Sequence, residues 1–228
     1  VARSRCGHEP MSEEPLELEP LDLPDPPDLP GRVCVEASAE EVMDALIAKL
    51  LEVAEAALED HGRFDLAVSG DDRLQPLWRQ MMMDPDLRGF PWEQTHLWFT
   101  NATPTSCERL AETLIWPAGI PMEQVHPMPA AGSEVYAQRL RDSLEDRPLD
   151  AAVVSSQVQC GVRDDDDQPS LDMDASFQSD CTFFAILAIG CGVPIALSPP
   201  LAEALGKRLH WYLDALAAKS PPATSDIL

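Results

Sequence analysis

The sequence has few basic residues and no long apolar run. Its 228 residues include 16 lysines and arginines against 40 aspartates and glutamates, a net charge of −24. Such a surface repels a phosphate backbone, which excludes direct nucleic-acid binding. No run approaches the roughly 20 apolar residues of a membrane-spanning helix, so a membrane span is excluded. The chain is 45% apolar, enough to bury a substantial core as one large domain or two small ones.

Metal-binding motifs and disulfide frameworks are also missing. Six cysteines are scattered along the chain, at Cys6, Cys34, Cys107, Cys160, Cys181 and Cys191. None forms a C-x-x-C motif or a Cys/His pair at metal-ligand spacing. We therefore expect reduced thiols, no metal and no cofactor. The same pattern favours an intracellular location, either the cytoplasm or an organelle such as the mitochondrion.

Proline and acidic residues are concentrated in residues 1–31, which hold seven prolines and eight carboxylates. Proline cannot donate to a strand ladder and charge opposes collapse, so we expect an extended arm. Four leucines recur in it, at Leu16, Leu18, Leu21 and Leu23. This arm is either a solvated tail or a segment that lies along a partner protein. Residues 220–228 are predicted to be a flexible tail.

Between these ends the pattern alternates strands with helices, which predicts a three-layer α/β domain with a mostly parallel sheet over residues 32–219. Ser38 and Glu41 form a capping box at the start of a helix that ends near Gly62. Thr105 and Glu108 suggest a second capping box. The predicted strands are 32–36, 64–68, 95–99 and 150–154, and two apolar runs follow at 182–189 and 193–197. The predicted helices are 38–62, 73–83, 105–115, 133–144 and a final one from Pro199 to about Ala218.

Several stretches resemble the 6-phosphogluconolactonase family, within the wider glucosamine-6-phosphate isomerase and ribose-5-phosphate isomerase superfamily. The likeness covers roughly four-fifths of the chain and is clearest in residues 35–42, 62–70, 108–114, 120–128 and 149–154. The resemblance implies the fold of that family. It also implies a site for an anionic sugar-lactone phosphate, which needs anion donors and a base that activates water.

The first site element of the family is a glycine-rich turn after a strand, whose backbone amides face phosphate. Here the matching turn consists of Ser69, Gly70, Asp71, Asp72 and Arg73. Two carboxylates therefore enter where phosphate approaches, and their charge repels it. Arg73 either compensates for this charge or is an ordinary surface arginine.

The catalytic loop of the family also departs from its pattern. Gly161 stands at the position of the family's histidine base, Gln159 at that of its aspartate, and Cys160 lies between them. Glycine cannot transfer a proton, and loss of a positioned base costs about 10²–10⁴-fold in rate. The family's charged motif after the next strand is replaced by residues 100–103, and its late lysine by Leu201.

These departures predict a catalytically retired relative that serves as a structural or interaction subunit. Its partners are expected to be other proteins with basic or neutral surfaces, bound through the arm. The alternative is an active 6-phosphogluconolactonase, or a sugar-phosphate binder, with a reorganised site. Outside the motifs, we expect His96 and His126 to be packing residues. Trp92 and Trp116 lie beside prolines, and one or both of them are candidate interface anchors.

Overall fold

The computed structural model describes residues 23–101, 104–127, 133–145, 147–155, 181–190 and 199–219. The strands are β1 (Arg32–Glu36), β2 (Phe64–Ser69), β3 (Thr95–Asn101), β4 (Val125–His126), β5 (Leu149–Ser155), β6 (Cys181–Ala188) and β7 (Leu209–Asp214). The helices are α1 (Ala39–His61), α2 (Gln75–Met83), α3 (Pro104–Leu110), α4 (Trp116–Ala118), α5 (Ser133–Leu144), α6 (Pro199–Leu205) and α7 (Ala215–Ala218). Residues Ala111–Ile115 form a π-helical turn that joins α3 to α4.

The strands form one parallel sheet in the order β1-β7-β6-β5-β2-β3-β4. Each face of the sheet carries its own apolar cluster. Leu66 and Val68 belong to one cluster, whereas Ala67 between them belongs to the other. This alternation follows from the two-residue period of a strand. The expected three-layer α/β fold is therefore confirmed.

Local sequence signals account for most element boundaries. At the start of α1, the Ser38 hydroxyl accepts a bond from the Glu41 amide at 3.2 Å, and the Glu41 carboxylate accepts the Ser38 amide at 3.1 Å. The helix ends at Gly62, which has a φ of 80° in the left-handed region that glycine adopts without strain. The capping box predicted for this helix is confirmed.

Two sequence predictions were wrong. Thr105 does not cap a helix, because α3 already begins at Pro104, whose fixed φ suits a first helical turn. The final segment is not one helix: α6 ends before Gly206, which has a φ of 51°, and the chain then forms β7. This strand inserts between β1 and β6 and is buried on both faces. Leu209–Asp214 is only six residues long, and a pattern over so short a segment does not distinguish a strand from the continuation of a helix.

The described part of the arm, residues 23–31, contains no helix or strand and contacts the domain. Leu29 packs against one of the two apolar clusters, and the Trp211 indole donates a 2.7 Å hydrogen bond to the Pro30 carbonyl. Gly31 has a φ of 95°, and a Cβ there would lie 2.4 Å from the Leu209 carbonyl oxygen. The arm therefore meets the sheet at a position that requires glycine.

Candidate functional site

The order of the strands defines a crevice between β2 and β5. From β2 the chain passes to β3 on one side, and after β4 it returns to β5 on the other side. In open parallel sheets, ligands bind outside the carboxyl ends of the strands at such a switch point. Here β2 ends at Ser69 and β5 ends at Ser155, and both residues are buried. The turn after β2, resembling a phosphate turn in sequence, thus lies at the expected binding crevice.

Asp71 is the central residue of this turn. Its carboxylate accepts a 2.9 Å bond from the Arg73 amide and so caps the 3-10 turn Asp72–Leu74. The other carboxylate oxygen accepts the Ser155 hydroxyl at 2.5 Å, and the Asp71 amide donates to the Ser69 hydroxyl at 3.2 Å. The Asp71 carboxylate therefore joins the ends of β2 and β5 across the switch point.

The second carboxylate of the turn is engaged elsewhere. Asp72 is exposed and forms an ion pair with Arg109 on α3. The side chain of Arg73 is also exposed, while its backbone amide bonds to Asp71. The position of Arg73 supports the interpretation of it as a surface arginine. Gly70 is buried directly after β2.

Sequence reasoning missed two residues of this arrangement, Ser155 and Arg109. Ser155 closes β5, and its position at the carboxyl end of a central strand was the available signal. The partner of Arg109 lies 37 residues away, and no local pattern identifies it. The catalytic-loop positions Gln159, Cys160 and Gly161 lie outside the described residues. Among the residues that the structure describes, no group of three or more His, Cys, Asp or Glu side chains could hold a metal ion.

A second charged cluster lies at the opposite, amino end of the sheet. Asp65 is fully buried and accepts bonds from Arg63 at 2.7 Å and from the Trp98 indole at 3.0 Å; Arg147 lies 3.5 Å away. Beside it, Asp150 accepts the Asp65 backbone amide at 2.7 Å and pairs with His61 at 3.1 Å. Burial raises the pKa of Asp150. The carboxylates of this cluster are compensated by nearby cations and by hydrogen bonds from an indole and a backbone amide.

A histidine pair adjoins the cluster. The Nδ1 of His96 lies 3.1 Å from the Nε2 of His126, and the His126 ring stacks on Trp98 with a centroid distance of 3.9 Å. Burial lowers the pKa of His96, and it lowers the pKa of His126 to about 4. The expectation that both are packing residues agrees with this position, at the other end of the sheet from the switch point.

The family model for glucosamine-6-phosphate isomerases and 6-phosphogluconolactonases matches residues 37–173, more than half of the chain. The chain belongs to this family. The resemblance expected from the sequence is thus confirmed. None of the helices in the described ranges is both long and apolar enough to cross a membrane.

Individual relatives are distant. The chain is 29% identical over 124 residues to the GDH/6PGL endoplasmic bifunctional protein of Homo sapiens; the match covers 46% of this chain and 15% of that protein. The fold is similar to 6-phosphogluconolactonase from Thermotoga maritima, with a TM-score of 0.60 and 15% identity over 81% of this chain and 99% of that one. A monomeric glucosamine-6-phosphate deaminase gives a TM-score of 0.55 and 12% identity over 82% and 98%. At these identities the structural likenesses establish the fold alone.

Proposed function

We propose that this chain is a catalytically retired member of its family and acts as a structural or interaction subunit of a larger assembly. The observation that supports retirement best is the Asp71 carboxylate at the switch point. It accepts the Ser155 hydroxyl and the Arg73 amide, donors that face the crevice where the family binds phosphate. A side chain of this protein thus takes the place of an anionic ligand.

The negative charge of Asp71 in this arrangement repels phosphate. Two unit charges about 4 Å apart interact by about 4 kcal/mol at an effective dielectric constant of about 20. A phosphate entering the turn meets this repulsion from Asp71. To avoid this repulsion, the phosphate has to displace the Asp71 carboxylate and break its hydrogen bonds to Ser155 and to the Arg73 amide. Arg109 offers no simple compensation, because it is already paired with Asp72.

The sequence supports the same proposal at further positions of the family's site, of which 159–161 lie outside the described residues. At Gly161 and Gln159 the sequence lacks the imidazole and the carboxylate that the family's catalytic loop supplies, and Cys160 lies between them. Leu201, within α6, replaces the family's lysine. These substitutions and Asp71 remove the base and the anion donors together.

The proposed organisation has three parts: an acidic arm over 1–31, the α/β domain over 32–219 and a tail over 220–228. The partners are other protein subunits with basic or neutral surfaces, reached through the arm. The alternative function, an active 6-phosphogluconolactonase with a reorganised site, is favoured by family membership alone.

Two measurements on the full chain test retirement. In a coupled assay with fresh 6-phosphogluconolactone we expect no turnover above the spontaneous rate; a kcat of about 1–10³ s⁻¹ would restore the enzyme alternative. In thermal melts with millimolar 6-phosphogluconate we expect no shift for the wild type. Ligand at 100 times Kd stabilises by about 2.7 kcal/mol, which is easily seen.

A variant pair isolates Asp71. Asp71→Gly frees the Arg73 amide and the Ser155 hydroxyl, so 6-phosphogluconate is expected to raise its Tm. Asp72→Asn removes the same charge from the exposed, Arg109-paired position and should gain no shift. Equal gains in the two variants would attribute the effect to net charge and contradict the role given to Asp71.

A further inference from the structure

One surface segment of this acidic chain carries no charge. Residues 113–122 contain no Asp, Glu, Lys or Arg, although a quarter of all residues are charged. Two large apolar side chains in this segment are exposed: Trp116 is 64% exposed and Met122 is 65% exposed. We name Trp116, Pro117 and Met122 the apolar turn. Tryptophan and methionine are among the residues enriched at binding surfaces.

The backbone holds the apolar turn in a defined shape. Gly119 has a φ of 68° and donates to the Trp116 carbonyl at 3.2 Å, while the Ile120 amide donates to the Ile115 carbonyl at 3.1 Å. Ile115 and Ile120 are both buried and anchor the turn to the core. Trp116 directly follows the π-helical turn, a feature frequent at functional sites. A fixed turn loses little entropy when a partner binds.

The apolar turn is separate from the family's site. The helical segment from Pro104 to Ala118 begins after the carboxyl end of β3 and runs back toward the start of β4. Its 15 residues span about 22 Å at 1.5 Å per residue. Trp116 therefore lies near the amino end of the sheet, and the Asp71–Ser155 contact lies at the carboxyl end.

The charged residues around the apolar turn indicate the charge of a partner that fits it. Glu112 precedes Trp116 by about one turn, Glu123 follows Met122, and both are exposed. Glu93 is exposed on a neighbouring 3-10 turn, whose backbone carbonyl accepts a 2.7 Å bond from Gln124. The one cation of the segment from Pro104 to Ala118, Arg109, is paired with Asp72. An apolar centre thus has an acidic rim.

This rim argues against two occupants. A second copy of the chain brings a net charge of −24. The chain's own residues 1–22 carry six carboxylates against two arginines. Both would place like charges against the rim, which costs affinity.

We propose that the apolar turn docks into an apolar groove bordered by lysine or arginine on a partner protein. This inference rests on the proposed interaction role and gives the chemistry of the partner. Trp116 is the anchor, and Glu112 and Glu123 meet the basic border.

The experiment uses the full chain and a synthetic helical peptide with a leucine face bordered by lysines. Its twin has glutamates in place of the lysines. By fluorescence anisotropy, we expect the lysine peptide to bind and the glutamate twin not to bind. Trp116→Ser should weaken binding at least about 10-fold, and raising the salt from about 50 to about 300 mM should weaken it further.

Leu216→Ser is the matched control, because Leu216 is 60% exposed but lies after the carboxyl end of β7. Equal binding by the two serine variants, or equal binding of the two peptides, would overturn the proposal. The proposal would also be overturned if the chain formed dimers that Trp116→Ser dissociates, since the occupant would then be a second copy. It would be overturned as well if the peptide bound only after deletion of residues 1–22, since that segment would then cover the apolar turn. If the lysine peptide does not bind and the chain shows no lactonase turnover, only the docking surface is rejected and the retired role stands. Lactonase turnover rejects the retired role whatever the peptide does.

Discussion

The two ends of the parallel sheet place carboxylates in opposite electrostatic surroundings. At the amino end, Asp65 is fully buried and has Arg63 and Arg147 beside it. At the carboxyl end, the donors to the Asp71 carboxylate among the described residues are neutral, the Ser155 hydroxyl and a backbone amide. The amino-end carboxylate is compensated like a structural charge. The carboxyl-end carboxylate lies at the switch point of the sheet, and under the proposed function its charge acts on ligands rather than on folding.

The substitution Asp65→Asn tests this contrast with the largest expected loss of stability. It leaves the Arg63 guanidinium next to a neutral side chain in a buried site, and removing one partner of a buried pair costs about 3–5 kcal/mol. We expect the Tm to fall on the order of 10 °C.

The carboxyl-end counterpart is Asp71→Asn, which should cost less than about 1 kcal/mol because asparagine caps a helical turn as well as aspartate does. Thermal melts of both variants compare the two ends directly. Similar losses would show that the two carboxylates have the same structural role.

A smaller effect than that of Asp65→Asn is expected where the arm meets the amino end of the sheet. Deleting residues 1–31 removes the Pro30 carbonyl from the Trp211 indole and the Leu29 side chain from its apolar cluster. An orphaned donor and a lost leucine contact together cost about 2–3 kcal/mol. Deleting only residues 1–22 keeps both contacts and should leave the Tm nearly unchanged. Equal Tm values for the two deletions would mean that residues 23–31 do not stabilise the domain.

An effect of about 1 kcal/mol concerns the amino-end histidine pair. The folded state lowers the pKa of His126 from 6.5 to about 4, so the unfolded chain binds more protons between these values. The contribution to stability is complete above pH 6.5 and is lost as the pH falls toward 4. After screening of this partly exposed group, we expect about 1 kcal/mol, or about 2–4 °C of Tm, between pH 7 and pH 5.

His126→Phe keeps a ring on Trp98 and removes the titrating group. Its Tm should therefore fall less between pH 7 and pH 5 than that of the wild type. An unchanged slope would assign the acid sensitivity to other groups.

Local signals predicted elements whose determinants are close in the chain. The capping box of Ser38 and Glu41 and the left-handed Gly62 bound α1 correctly, because these contacts span only a few residues. The strand β7 was missed, since Leu209–Asp214 is only six residues long and its identity depends on pairing with β1 and β6. Of the two tryptophans considered as anchors, Trp116 is exposed and Trp92 is buried.

The sequence by itself determined the fold class, the position of the turn from Ser69 to Arg73 and its unusual acidity, because strand–helix alternation and residue charge are local properties. Only the tertiary structure decided what the acidity does. Asp71 and Ser155 are 84 residues apart and meet because the chain crosses back over β2 to place β5 beside it. Likewise, Asp65 becomes a buried charge only where Arg63, Trp98 and Arg147 converge. A carboxylate's role depends on its partners, and parallel strands bring those partners from distant parts of the chain.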